Sequence, residues 1–153
     1  MSLSHWVVVA SLVCGACPGQ VVQKQEKVKV TVAVILACSG KEHVDPQLAK
    51  VAKEIRKGDK CLTCFKLKST KCRSLAVDEK GVFKLVDGKT VTVVVKQVAD
   101  KENRIVVAVT APDQGEIVYR SACGKFLPII CRYHTKANER LILAVSVQPC
   151  NGH

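Results

Sequence analysis

Between Val28 and Cys38, VKVTVAVILAC, apolar residues first alternate with polar ones and then run together. Val28, Val30 and Val32 fall on one face and Lys29 and Thr31 on the other, whereas Ala33 to Ala37 is apolar throughout. Alternation suits a strand with one solvated face, and a continuous apolar run suits one covered on both faces. The pattern predicts a central strand whose second half is buried on both sides.

The period then changes. Leu48, Val51, Ala52 and Ile55 recur at helical spacing, behind Asp45 as N-cap and Pro46 at the first helical position, and Gly58 supplies a stop. This predicts one amphipathic helix over 45–57. Its other face carries Lys50, Lys53, Arg56 and Lys57.

From Cys61 onward the pattern is β with frequent turn signals. Phe65 and Leu67 alternate with Lys66 and Lys68, Leu75 and Val77 follow, and Asp87-Gly88 joins two apolar runs into a hairpin over 82–98. Arg104 to Ala111, Glu116 to Ala122, Leu127 to Tyr133 and Arg140 to Val147 read as further strands. Gly124-Lys125 is the expected hairpin turn between the middle two, and Pro128 suits an edge or a strand start. The expected class is α+β: a mainly antiparallel sheet or sandwich of about eight strands with one helix.

At 153 residues and 48% hydrophobic content, the chain has the mass for one domain with its own core, here expected over 28–150. A net charge of +11 favours anionic partners without naming one. Most of the excess lies between Ala49 and Arg73, where nine cations face only Glu54 and Asp59. Lys50, Lys53, Arg56, Lys57, Lys60, Lys66, Lys68, Lys71 and Arg73 are therefore the candidate contact residues for an anionic macromolecule or envelope component. Lysines also serve to solvate helix faces and to discourage pairing at sheet edges.

The first residues, MSLSHWVVVASLVCGACPGQ, hold an apolar block too short to span a bilayer but suited to the core of a secretory signal. The expected organisation is a signal over 1–16, a polar tether over 17–27, and an exported mature chain beginning at Cys17. Acylation of Cys17 would be its one route to a membrane, although Cys14 stands where a lipoprotein signal usually has leucine. The n-region has no Lys or Arg, so Trp6 to Val13 as a further strand is the competing reading.

There are nine cysteines. Export permits disulfides, and the pairs suggested are Cys123 with Cys131, across one hairpin, and Cys72 with Cys61 or Cys64. Cys61, Cys64 and Cys72 are instead the candidate ligands if the chain holds zinc, but a fourth would have to come from afar, such as His43 or His134. A redox role for Cys61-Leu62-Thr63-Cys64 needs the first thiol at a helix N-terminus, and Cys61 follows a helix C-terminus.

No nucleophile elbow, glycine-rich phosphate loop or histidine motif occurs. Catalytic residues and a cofactor are accordingly not expected. Nucleic-acid binding would rest on charge alone, since Phe65 is the single ring in the basic stretch.

The succession VILACSG, DPQLAKVAKEI, FKL, SLAV, GVFKLVDGKTVTV and ERLILAVSVQP resembles a family of exported bacterial α+β domains with no assigned activity. The resemblance covers about residues 28 to 149 and implies export and a non-enzymatic role. The cysteines and the abundant lysine are features of this chain.

Overall fold

The computed structural model describes residues 26–150. Their backbone is 59% strand, arranged as two sheets with one short helix. In chain order the elements are β1 (Lys27–Cys38), β2 (His43–Val44), a 3-10 turn (Pro46–Leu48), α1 (Ala49–Gly58), β3 (Cys64–Ala76), β4 (Lys80–Lys84), β5 (Thr90–Gln97), β6 (Arg104–Thr110), β7 (Glu116–Ala122), β8 (Phe126–His134) and β9 (Arg140–Pro149).

One sheet has the order β2-β3-β1-β9-β8 and the other β4-β5-β6-β7. The expected central strand is β1, paired antiparallel with β3 on one side and β9 on the other. Its two faces belong to two cores. Val28, Val30, Val32, Val34 and Leu36 meet Val91, Val93 and Val95 of β5 and Ile105, Val107 and Val109 of β6. Ala33, Ile35 and Ala37 pack with Phe65, Ile142 and the helix residues Leu48, Val51, Ala52 and Ile55. The small Ala33 and Ala37 let the helix approach the strand, and burying Ile55 contributes about 2–3 kcal/mol relative to exposure. The layers are thus helix, sheet, sheet, which is more than a plain sandwich. Among the described residues, parallel pairing is confined to β2 with β3 and an isolated bridge between Val77 and Val95.

Three local expectations change. Asp45 does not cap the helix with its side chain; its carboxylate accepts from His43 Nε2 at 2.9 Å and from the Leu67 amide at 2.8 Å. The Leu67 amide, with a smaller contribution from His43, holds the Asp45 pKa below its ordinary value.

Phe65–Lys68 and Leu75 lie on one 13-residue strand, β3, where β1 supplies a partner for the polar Ser69 to Ser74, and Val77 follows it as an isolated bridge. Tertiary pairing carries the strand through a polar stretch of low strand propensity.

The expected hairpin of β7 with β8 does not form. Gly124, at φ +79°, turns the chain out of the four-stranded sheet and into the five-stranded one, where β8 pairs with β9.

The disulfide pattern differs as well. Cys64 is bonded to Cys38, its opposite number across the β1–β3 ladder. Cys123 and Cys131 are both free, because the strands that would have aligned them occupy different sheets. Cys61 and Cys72 are free and exposed.

Candidate functional site

The largest departure from regular pairing in the β1–β3 ladder is at Lys68. Val34 faces Ser69 and Ile35 faces Leu67, so Lys68 is the extra residue of a bulge. A bulge leaves one residue outside the ladder and re-aims its side chain, and such positions recur beside sites. Here Lys68 lines an open basin of about 520 Å³ at one end of the two sheets. Leu36, Leu85 and Val86 give it apolar walls, Ser69 and Thr135 supply hydroxyls, Lys68, Lys71 and Lys136 supply cations, and Asp87 and Glu139 supply carboxylates.

Two turns complete the basin. In the β4–β5 turn Leu85 and Lys89 close the loop by backbone hydrogen bonds, with Asp87 and Gly88 at φ 53° and 71°. Glycine tolerates that region freely and Asp better than most residues, which is why Asp-Gly marks the turn in the sequence. In the β8–β9 turn the Thr135 amide donates to the Glu139 carbonyl at 2.8 Å, and Asn138 takes the left-handed position. That turn presents Lys136.

The charges of the basin are not equivalent. The Lys71 ammonium donates to the Lys84 carbonyl oxygen of β4. Asp87 accepts a 2.6 Å hydrogen bond from the Tyr133 hydroxyl, which raises the phenol's pKa. Lys89 sits 5.0 Å from the centre of the Tyr133 ring, on the same side of the molecule. Lys68 and Lys136 have no ion-pair partner among the described residues.

The nine cations of the candidate contact surface separate by role. Arg56 donates to the carbonyls of Leu62 and Thr63 at 3.3 and 3.0 Å and lies 5.5 Å over the Phe65 ring, fastening the helix to the segment before β3. Lys57 pairs with Glu54 at 2.8 Å. Arg73 donates to the Val82 carbonyl at 3.3 Å, beside the Lys71–Lys84 contact, so both side chains cap the outer edge of β4. Lys50, Lys53, Lys60, Lys66 and Lys68 are exposed and have no ion-pair partner among the described residues. Of the nine, only Lys68 and Lys71 line the basin. Lys136 was readable in the sequence only as part of a turn; its place opposite Lys68 depends on β8 pairing with β9.

The candidate zinc ligands are not gathered. Cys64 is in a disulfide, and Cys72 lies eight residues further along β3, about 26 Å away at strand rise. Cys72 meets the Thr31 hydroxyl at 3.3 Å, and His43 is bonded to Asp45. Among the described residues no group of three or more His, Cys, Asp or Glu is placed to hold a metal ion. Cys131 is fully buried, and burial pushes its thiol up to about 11.

Cys17 and the expected signal over 1–16 lie outside the described residues. No described helix is long and apolar enough to cross a membrane. The Cys38–Cys64 bond is consistent with an oxidising compartment. A scan against protein-family models, a search of curated proteins and a search of solved structures each return no match.

Proposed function

We propose that this chain is an exported, non-catalytic binding module that docks an anionic macromolecule of the cell envelope at the basin bearing Lys68 and Lys136. The observation that carries the proposal is the approach of these two unpaired cations, one from a bulged strand and one from a turn, to a hollow that also offers hydroxyls and apolar walls. Such a surface suits a chain with an anionic group and a weakly polar body, such as an acidic polysaccharide, better than it suits stacked bases. No thiol or imidazole lines the basin. The disulfide and the signal-like N-terminus support export.

Retention on an immobilised sulfated polysaccharide, measured against salt, tests the site. Lys68→Glu with Lys136→Glu is expected to weaken binding by roughly tenfold or more, and Lys50→Glu with Lys53→Glu to change it little. Equal elution of the two double variants would sink the basin as the contact. Tighter binding to duplex DNA than to the polysaccharide would favour the nucleic-acid reading instead. The export half is checked separately, by the intact mass and N-terminal residue of protein from its native host. Cleavage predicts a chain starting at Cys17, and acylation would add the mass of the lipid.

A further inference from the structure

Among the described residues, three of the four sheet edges are blunted. β2 is two residues long. The carbonyls of Val82 and Lys84 on β4 are occupied by Arg73 and Lys71. β8 contains Pro128, loses register between Ile130 and His134, and has its Ile130 carbonyl taken by the Gln114 side chain at 3.0 Å. These are the devices by which sheets avoid pairing with other chains.

Apart from the Ala122 carbonyl at its end, which accepts from the Ser121 hydroxyl at 3.3 Å, β7 has none of them. Its seven residues, EIVYRSA, pair with β6 without a register shift, and among the described residues its other side is the free edge of the four-stranded sheet. It carries two of the exposed large apolar residues, Ile117 at 40% and Val118 at 58%. Glu116, Val118 and Arg120 lie on the outer face with their partners Thr110, Ala108 and Val106, while Ile117 and Tyr119 share the inner face with Val109 and Val107.

The spacing of these residues makes the strand complementary to itself. If β7 pairs antiparallel with the same strand of a second copy, centred on Val118, then Glu116 faces Arg120 of the other copy at both ends of the pair. Val118 meets Val118 between them, and Ile117 meets Tyr119 on the inner face. Opposite charges and aromatic with β-branched residues are favourable cross-strand pairs, and the arrangement is isologous as a two-fold dimer requires. Within the single chain neither Glu116 nor Arg120 has an ion-pair partner among the described residues.

We infer that the protein forms a two-fold dimer through β7, joining two four-stranded sheets into one of eight strands. The inference is independent of the anion-binding proposal, because the basin lining contains no residue of β7.

Sedimentation of the purified protein over a range of concentrations tests it, with melting curves to verify that each variant is folded. The expected species has twice the mass of the purified chain. Glu116→Arg alone and Arg120→Glu alone place like charges opposite each other at two positions and are expected to weaken the dimer by roughly tenfold to a hundredfold. The two changes together exchange the signs and are expected to restore it. A monomer at every concentration, a dimer indifferent to the single changes, or a double variant no tighter than either single one would overturn the inference.

Discussion

Cys38 at the end of β1 and Cys64 at the start of β3 lie directly opposite one another, with Cα atoms 4.9 Å apart, and their disulfide closes the loop that carries α1. The helix is held to the sheet from two directions: by Leu48, Val51, Ala52 and Ile55 beneath it, and by this bond with the Arg56 contacts at its ends. Cross-linking over a sequence separation of 26 removes freedom from the unfolded chain worth about 3 kcal/mol. Cys38→Ala with Cys64→Ala is therefore expected to lower the free energy of unfolding by about 2–4 kcal/mol in urea titrations. A loss below about 0.5 kcal/mol would mean that the core alone fixes this loop.

Gly81 of β4 packs against the Leu75 side chain of β3, across the two sheets. A Cβ at Gly81 would lie 2.8 Å from one Leu75 methyl and 3.1 Å from the other, and Leu75 is fully buried. Gly81→Ala is expected to cost about 1–3 kcal/mol through overpacking. Leu75→Ala alone should cost about 2–5 kcal/mol through the cavity it leaves. The pair combined should cost clearly less than their sum, because each change relieves the other. Strict additivity in a double-mutant cycle would exclude the contact as the cause.

Asp45 links stability to pH. The Leu67 amide and His43 favour its carboxylate, so the folded pKa lies below that of an ordinary aspartate. The stabilisation is present above the unfolded pKa and is lost as pH falls through the folded one, since the unfolded state takes up the proton first. Asp45→Asn should be less stable than the parent near about pH 6, with the difference shrinking toward about pH 2.5. Urea midpoints at the two pH values measure this, and a difference that does not change with pH would assign the effect to packing.

Lys71 and Arg73 are assigned to closing the β4 edge as well as carrying charge. Lys71→Met keeps the stem over the sheet and removes the donor to the Lys84 carbonyl, which should cost about 1 kcal/mol. Lys68→Met, at the unpaired bulge residue, should cost less than about 0.5 kcal/mol while weakening polyanion retention. Equal stability losses for the two would remove the distinction between structural and available cations.

Periodicity determined much of the architecture without tertiary information. The apolar run of β1 announces a strand covered twice, the stripe of Leu48, Val51, Ala52 and Ile55 announces the helix that covers it, and Asp87-Gly88 announces the β4–β5 hairpin. Each depends on contacts within a few residues or on a repeat that has only one burial solution.

Partnership between distant segments was decided by the tertiary structure. β7 and β8 are joined by a turn that reads as a hairpin, but β9 offers β8 the longer apolar face, so the strands part into different sheets and the expected Cys123–Cys131 bond is lost. Cys38 finds Cys64 because β1 and β3 align over their whole length. Lys68 and Lys136 come to line one basin for the same kind of reason, through ladder register and a turn at the far end of the chain. Local sequence can specify a strand's faces, whereas its neighbours are selected by which pairing buries the most apolar surface in the assembled sheets.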